Sequence, residues 1–385
     1  MTLTATYNNN TIINTTSDGT FTLPTANKYM STDIVLTASG ISSLTATYNG
    51  NNIVNASADG TFTLKTGGKY MNSNVVISVS GGSQTPITAM VSGLGSSSPS
   101  SVNFTVDNDF TVAGLGIEEV TMGGDTFIKI PTMYRKVNTV SNNQITSFTI
   151  ANTQIDNTYE PYSVFVKEDG VTVMPYVLIG KYWNTSSSSC VSTGTASPVG
   201  MTIGTGRTYA KNRGTGYQIF DWQFQKLWQD LIIVFKRTIN TNAGTAWTYD
   251  EMGIYWSTNG SWIDGICHNS AVIAVSDKPS KYVDSATTST DGYFGVSYNL
   301  PTSNGGNITA LGYDMSNPFV NFPSAASGSS YTTYYCDGYY YASGSHPVVA
   351  IVGSAYAYYG AFLCDAEYNW SSTSRVRLCY RPISA

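Results

Sequence analysis

Hydrophobic and polar residues alternate along short stretches of the first eighty residues, and the whole pattern occurs twice. Residues 3–39 read LTATYNNNTIINTTSDGTFTLPTANKYMSTDIVLTAS, and residues 44–80 read LTATYNGNNIVNASADGTFTLKTGGKYMNSNVVISVS. A period of two residues is typical of half-buried β-strands, and neither copy has a helical period. We therefore predict two all-β tandem repeats, residues 1–40 and 41–82, that form a spacer or an assembly module.

Each repeat also contains an Asp-Gly pair, at Asp18-Gly19 and at Asp59-Gly60. Asp-Gly between two alternating stretches is a strong signal for a tight β-hairpin turn. The sequence therefore predicts a hairpin at each pair.

Glycine and serine dominate the segment that follows the repeats. It contains Gly81-Gly82-Ser83 and the run GLGSSSPSS at 93–101. Segments of this composition are flexible, so we predict a linker at 83–101 and a second domain at 102–385.

One stretch of the second domain has helical spacing. In DWQFQKLWQDLIIVFKRTINT, which begins at Asp221, the apolar residues Phe224, Leu227, Trp228 and Leu231 recur at intervals of three and four. Asp221 is a good N-cap, so the pattern predicts the principal helix of the domain, with its aromatic side chains in the core. Short strand-like stretches and long Gly/Asn/Ser loops make up the rest, which favours an α+β fold with an antiparallel sheet.

Composition narrows the class of protein. Only 11% of the 385 residues are charged, whereas 41% are apolar and 13% are aromatic, a balance typical of β-rich extracellular or virion proteins. The net charge of −5 offers no basic surface for nucleic acid, and no stretch has the length of a membrane span. The N-terminal MTLTATYNNN has neither a basic region nor an apolar core, so no signal peptide is predicted.

Residues for catalysis or metal binding are sparse. The two histidines, His268 and His346, have no partner at the spacing of a catalytic or metal motif. The glycine-containing segment 204–218 lacks the flanking strand, helix and lysine of a phosphate cradle. We therefore predict no metal, no cofactor and no enzymatic activity. An acid–base pair stays open at two places, Asp250 with Glu251 and Asp365 with Glu367.

The five cysteines are scattered without the spacing of metal ligands, and their number is odd. We expect most of them to be buried free thiols that act as small hydrophobic residues. They are Cys190, Cys267, Cys336, Cys364 and Cys379.

The C-terminal part has the most biased composition of the chain. From Ser316 to Ala385 there is no lysine, glutamine or methionine, and tyrosine, serine, alanine and glycine take their place. Tyrosine offers a large amphipathic contact area at little entropic cost, while serine, glycine and asparagine supply adaptable hydrogen bonds. Since this composition is typical of recognition surfaces, we expect the binding face in this part of the chain.

Several segments within residues 125–385 carry a resemblance to a known family. They are FIKIPTMYRKV from Phe127, NRGTGYQIFDWQFQKLWQDLIIVFKRTIN, NGSWIDGI at 259–266, and a closing segment with VVAIVG, GAF and R-x-R-L. The chain resembles the variable proteins of diversity-generating retroelements, which display a C-type-lectin-like domain related in fold to formylglycine-generating enzymes. The resemblance implies that residues 102–385 form an α+β C-type-lectin-like domain with antiparallel strands and long loops.

The composition of the tail agrees with the way such retroelements diversify their targets. They change adenines, mostly in AAY codons of asparagine whose third base stays a pyrimidine, so Lys, Gln, Glu, Met and Trp cannot arise. Of these five types the tail contains only Glu367 and Trp370. The resemblance therefore implies a variable, ligand-binding segment at about 331–374.

The resemblance also implies which side chains contact the ligand. Affinity would come from aromatic anchors in a polar setting, presented to solvent by a rigid scaffold. The expected contacts are Tyr334, Tyr335, Tyr339, Tyr340, Tyr341, Ser354, Ala355, Tyr356, Tyr358, Tyr359, Cys364, Asp365, Tyr368 and Asn369.

For function, the resemblance implies a phage or prophage receptor-binding protein that determines tropism and is exposed at a tail tip or tail fibre of the virion. The expected partners are a host cell-surface protein or glycan, further copies in a homotrimer, and other tail components bound through the N-terminal repeats. Neither nucleic-acid binding nor membrane insertion is expected. Two alternatives stay open: a fixed carbohydrate-binding or structural tail-fibre tip protein on the same fold, and an enzyme.

Overall fold

The structure is a computed structural model in which the chain forms two compact units, Met1–Thr85 and Pro86–Ala385. It describes residues 1–57, 59–81, 86–95, 101–156, 158–170, 172–194, 197–240, 249–255, 261–269, 271–282, 292–302, 306–327, 339–341, 345–346, 351–352, 364–366 and 375–383.

Antiparallel strands make up the described part of the first unit. They are β1 (Thr2–Tyr7), β2 (Asn10–Thr15), β3 (Gly19–Leu23), β4 (Lys28–Met30), β5 (Ile34–Ser39), β6 (Ile41–Tyr48), β7 (Asn51–Ala56), β8 (Gly60–Leu64), β9 (Lys69–Met71) and β10 (Val75–Gly81). Alternate residues of the central strands are buried, for example Ile34, Leu36 and Ala38 of β5, so the period-two pattern is confirmed as a set of half-buried strands.

The two repeats share their sheets. One sheet has the order β2-β1-β5-β8 and the other has the order β3-β10-β6-β7, so each sheet takes three strands from one repeat and one from the other. A third sheet pairs β4 with β9, where Tyr29 lies opposite its equivalent Tyr70. The repeats, expected as separate modules at 1–40 and 41–82, are therefore interlocked about a local two-fold axis.

The tight hairpins of this unit lie at Asn8-Asn9 and Asn49-Gly50, which join β1 to β2 and β6 to β7. Their φ angles are positive, at 48°, 61°, 50° and 73°. Asparagine and glycine tolerate this conformation, which the twisted two-residue turn requires. The hairpins predicted at the two Asp-Gly pairs are therefore wrong.

The Asp-Gly pairs instead lie where the chain crosses from one sheet to the other. The carboxylate of Asp18 accepts a hydrogen bond from the backbone N–H of Gly81 at 2.7 Å. The carboxylate of Asp59 accepts one from the backbone N–H of Ile41 at 3.0 Å. Each aspartate thus satisfies a backbone donor of a distant strand, a role that local sequence does not reveal.

The second unit contains the remaining strands and two α-helices among its described residues. The strands are β11 (Thr88–Ser92), β12 (Asn103–Val106), β13 (Glu118–Met122), β14 (Asp125–Pro131), β15 (Tyr134–Ser141), β16 (Gln144–Ala151), β17 (Glu160–Pro161), β18 (Tyr176–Gly180), β19 (Tyr217–Ile219), β20 (Ser261–Trp262), β21 (Ile266–Asn269), β22 (Val272–Val275), β23 (Phe294–Asn299), β24 (Asn307–Leu311), β25 (Pro323–Ser327), β26 (Tyr339–Tyr341), β27 (Ser345–His346), β28 (Ile351–Val352), β29 (Cys364–Ala366) and β30 (Leu378–Tyr380). The helices are α1 (Ile203–Lys211) and α2 (Trp222–Lys236).

These strands form three larger sheets and three strand pairs. The larger sheets have the orders β12-β11-β16-β15-β17, β13-β14-β18-β30-β19 and β23-β22-β21-β27, and the pairs are β20-β28, β24-β25 and β26-β29. Within the described strands every pairing is antiparallel except β26-β29. The unit is therefore α+β with mainly antiparallel strands, as predicted.

The second unit begins earlier than the sequence predicted. Strand β11 lies inside the range 83–101 that was assigned to a linker, and it pairs with both β12 and β16. Ala89 and Val91 of this strand are fully buried. The glycine and serine residues around it concealed a short strand with the alternating pattern.

Helix α2 lies in the centre of the second unit. Asp221 caps it as predicted, since its carboxylate accepts hydrogen bonds from the backbone N–H groups of Gln223 and Phe224, both at 3.0 Å. Trp222, Phe224 and Trp228 are at most 2% exposed, so the prediction that its aromatic residues fill the core is confirmed. The burial continues around the whole helix from residue 222 to 234, which exceeds the single apolar face that the spacing indicated.

Helix α1 was not predicted, because glycine occupies two of its positions, Gly204 and Gly206. At Gly206 a Cβ atom would lie 2.6 Å from a methyl group of Val376, so the helix packs against the C-terminal part of the chain only with glycine here. Neither described helix is long and apolar enough to cross a membrane.

Candidate ligand-binding site

Five of the predicted ligand contacts fall within the described residues, and all five lie on one pair of parallel strands. In this pair Tyr339 is opposite Cys364, Tyr340 is opposite Asp365, and Tyr341 is opposite Ala366. The structure thus brings together two parts of the predicted segment that are far apart in sequence. The other predicted contacts lie outside the described residues; they are Tyr334, Tyr335, Ser354, Ala355, Tyr356, Tyr358, Tyr359, Tyr368 and Asn369.

Tyr339 differs from the exposed contact that the sequence predicted. Its side chain is fully buried in the core of the second unit, and its hydroxyl donates a hydrogen bond of 2.6 Å to the carbonyl of Pro301. Its backbone N–H donates to the carbonyl of Gly306 at 3.0 Å. In this conformation Tyr339 anchors β26 to the core, because tyrosine can bury its ring when its hydroxyl finds an acceptor.

Further short strands tie the C-terminal segment to the rest of the unit. Ser345 and His346 of β27 pair with Asn269 and His268 of β21. Strand β28 pairs with β20. The predicted segment 331–374 is therefore attached to the rest of the unit at β27 and at β28, whereas β29 pairs with β26 of the segment itself.

Beyond the segment, Arg377 fixes the last part of the chain. Its guanidinium is fully buried, lies 4.1 Å from the ring centre of Trp183, and donates to the carbonyls of Gly180, Lys181 and Tyr255. Burial lowers the pKa of Arg377 to about 10. The planar group thus serves three backbone acceptors and one aromatic face, which explains the arginine of the closing R-x-R-L.

Asp221 joins this end of the chain to helix α2. The Oδ2 atom of its fully buried carboxylate accepts hydrogen bonds from Arg381 Nη2 at 2.6 Å, Tyr282 Oη at 2.8 Å and Gln218 Nε2 at 2.6 Å. Burial, together with the charge of Asp221, raises the pKa of Tyr282 well above its ordinary value. Tyr282 therefore stays a neutral donor.

A second buried ion pair lies nearby, between Arg207 of α1 and Asp264. The guanidinium donates from Nε and Nη2 to the two carboxylate oxygens, at 2.9 and 2.7 Å. Burial raises the pKa of Asp264, and the charge of Arg207 opposes that shift. Sequence reasoning missed this pair. Only 11% of the residues are charged, so a single charged residue in an otherwise uncharged stretch is unusual. Arg207 in the glycine-rich segment and Asp264 in the tryptophan-containing segment are such residues, and this could have indicated a buried pair.

The two carboxylates suggested as an acid–base pair, Asp250 and Glu251, have different partners in the structure. Asp250 accepts hydrogen bonds from Trp228 Nε1 at 2.7 Å and from the backbone N–H groups of Met252 and Ile254, both at 2.9 Å. Glu251 forms an ion pair of 2.8 Å with Lys236. Both side chains have structural partners. The other suggested pair, Asp365 with Glu367, includes a residue outside the described ones.

The thiols that the structure describes are buried and have raised pKa values. Cys190, Cys267 and Cys379 are free and buried, as predicted. Burial raises the pKa of Cys190 to about 12 and that of Cys267 to about 11, so neither is a thiolate at neutral pH. Among the described residues, no three His, Cys, Asp or Glu side chains gather as they would around a metal ion.

No model of a known protein family matches this chain, and the comparison with curated proteins finds no match either.

Proposed function

We propose that this protein is a phage or prophage receptor-binding protein, in which residues 331–374 form a diversified, tyrosine-rich binding surface on a C-type-lectin-like scaffold. The observation that carries the proposal is the combination of a tail biased toward tyrosine and serine with repeated attachment of that tail to the core. A recognition surface needs contact side chains on a backbone that stays in place when they change.

The attachment of the segment to the core supports this separation between variable contact side chains and a fixed backbone. The described strands of the segment pair with β21, with β20 and with each other, and the side chain of Tyr339 is buried in the core of the unit. Arg377 and Arg381 fix the chain after the segment through buried hydrogen bonds. Most of the proposed contacts lie, by sequence position, between these anchors, so their side chains can vary while the anchors are kept.

The partner in this proposal is a host cell-surface protein or glycan, and the protein is exposed on the tail tip or fibre. A homotrimer would present three copies of the surface and raise the avidity of weak single contacts. The first unit, whose repeats form one interlocked β structure, would join the protein to other tail components. The protein binds and does not catalyse.

The genetic test is to sequence the encoding locus in many isolates. The proposal predicts a near-copy of the last ~150 bases beside a reverse-transcriptase gene, with amino-acid changes confined to template adenines in the segment. An invariant tail without such a template would contradict diversification and favour the fixed carbohydrate-binding or structural tip.

The binding test compares two tyrosine variants of the full-length protein on host cells. Tyr358→Ala removes a proposed contact, and Tyr249→Ala removes a tyrosine of the same unit that is 51% exposed but lies outside the segment. We expect Tyr358→Ala to weaken cell binding by roughly tenfold or more, as for an aromatic hot spot, and Tyr249→Ala to leave it unchanged. Equal binding by both variants and wild type would contradict the assignment of the surface.

A further inference from the structure

A pocket of about 790 Å³ opens in the second unit. Its described lining comes from the turn after Val166, from α1, from residues 214–218 at the start of β19, from the residues around Pro279, and from Arg381 and Ile383. None of its described lining residues belongs to segment 331–374. Its size falls in the range of small-molecule sites, about 300–1,000 Å³.

Three of the four side chains of the two buried ion pairs described above line the pocket and form its floor. Both members of the first pair, Arg207 and Asp264, line the pocket. Of the second pair, Arg381 lines it, and its hydrogen bond to Asp221 fixes its position. Buried ion pairs contribute little net stability compared with apolar residues of similar size. Two of them at the bottom of an open pocket therefore indicate a prepared polar surface, with planar groups whose orientation is fixed before a ligand arrives.

The rim is equally balanced in charge. Lys167 and Lys211 lie there with Glu168 and Asp169. Glu168 accepts hydrogen bonds from the backbone N–H and the hydroxyl of Ser280, at 2.8 and 2.6 Å. Among the described residues, the four cations of the lining are matched by its three carboxylates together with Asp221, the buried partner of Arg381. This part of the pocket therefore has no excess charge to select an ionic ligand.

The lining also has an apolar side. Tyr217 and Tyr282 contribute aromatic rings, and Val166, Pro279 and Ile383 contribute aliphatic groups. The ring of Tyr217 is held by an edge-on contact with Tyr380, with ring centres 5.0 Å apart. A pyranose ring has hydroxyls around its edge and an apolar face of C–H groups, so its two kinds of surface match the two kinds of lining.

We propose that this pocket binds an uncharged saccharide of one or two pyranose units, with its hydroxyls toward the Arg207–Asp264 floor and a C–H face toward Tyr217 or Tyr282. The site does not depend on the receptor-binding surface proposed for the C-terminal segment, and either proposal can fail alone.

The experiment measures saturation-transfer NMR on the full-length protein with named sugars. The neutral probes are methyl α-glucoside, methyl α-mannoside, methyl β-galactoside and N-acetylglucosamine, and the charged probes are glucose 6-phosphate, N-acetylneuraminic acid and glucosamine. We expect saturable binding of at least one neutral probe, stronger than that of each charged probe.

Matched variants locate the binding. Thr215→Trp places a large side chain at an exposed position of the lining, and Lys211→Trp does so from the end of α1. Thr208→Trp is the control, since Thr208 is exposed on α1 but does not line the pocket. We expect the first two variants to weaken the neutral sugar about tenfold or more and the control to bind like wild type.

Three results would overturn the proposal: no saturable binding of any neutral probe, tighter binding of a charged probe, or undiminished binding by both pocket variants. Thermal unfolding of each variant shows that it is folded. Because the variants leave segment 331–374 unchanged, their binding to host cells separates a failure of this site from a failure of the receptor-binding proposal.

Discussion

Arg381 donates a hydrogen bond of 2.6 Å to Asp221, so the last strand region and the main helix share one buried carboxylate. The same carboxylate caps α2 through two backbone N–H groups. Helix start and chain end are therefore stabilised together, although they are 160 residues apart in sequence.

Asp221→Ala should destabilise the second unit strongly. It removes the helix cap and leaves Arg381 buried without its anion, so we expect a loss of roughly 3–5 kcal/mol in the free energy of unfolding. Urea denaturation measures this, with Asp277→Ala as the control because Asp277 is exposed. A loss below about 1 kcal/mol would show that Asp221 does not hold the two elements together.

A different buried charge should make stability depend on pH. Lys226 of α2 is 5% exposed, and its Nζ lies 2.7 Å from Asp230, which also contacts Arg135 and Tyr162. Burial, reinforced by the charge of Arg135, lowers the pKa of Lys226 to about 8 from its ordinary 10.5, against the attraction of Asp230. Between these values the unfolded chain binds more protons, so Lys226 makes stability rise with pH there.

Lys226→Met should remove that rise. We expect the difference in unfolding free energy, variant minus wild type, to fall by roughly 3 kcal/mol between pH 7.5 and 10.5. Other groups, such as the buried thiols and Tyr162, titrate in the same range with the opposite sign, because burial raises their pKa values. These groups titrate in both the variant and the wild type, so their contributions cancel in the difference. A difference in unfolding free energy that does not change with pH would contradict the lowered pKa of Lys226.

Tyr339 should behave as a core residue and not as a ligand contact. Tyr339→Phe loses the hydrogen bond to Pro301 and should cost about 1 kcal/mol. Tyr339→Ala empties a fully buried site and should cost roughly 3–5 kcal/mol. Chemical denaturation of both variants measures these losses. Stable Tyr339→Ala protein with weakened cell binding would instead return Tyr339 to the binding surface.

A single repeat should not fold as a monomer. Strand β3 of the first repeat pairs with β10 of the second, and β8 of the second pairs with β5 of the first. We expect a fragment of residues 1–85 to fold alone, whereas residues 1–40 should gain β structure only by dimerising. Circular dichroism and light scattering over a range of concentrations decide this, and a folded monomer of residues 1–40 would contradict the interlocked arrangement.

Local signals in the sequence predicted the local features of the structure. The apolar spacing and the aspartate at its start predicted α2 and its cap, and the alternating pattern predicted the strands of the repeats. The sequence could not predict that the repeats exchange strands. A strand has the same alternating pattern whether it pairs with a strand of its own repeat or with a strand of the other repeat.

The site features that sequence missed depend on contacts between distant residues. Arg207 and Asp264 are 57 residues apart, and nothing in either neighbourhood specifies the other. Helix α1 was not predicted because glycine, including Gly206, disfavours a helix. Glycine is needed there because the side chain of Val376, far along the chain, packs against this position. The composition of the tail predicted a recognition segment, but the burial of Tyr339 followed only from the position of Pro301.

The exchange of strands about the axis at Tyr29 and Tyr70 also constrains how such a gene can change in length. Loss of one copy by recombination between the repeats would leave unpaired strand edges that only a second molecule could complete by dimerising. Within one chain the sheets therefore stay complete only when copies are gained or lost in pairs, so the pair, and not the single 41-residue repeat, is the unit by which the length can change in a monomer.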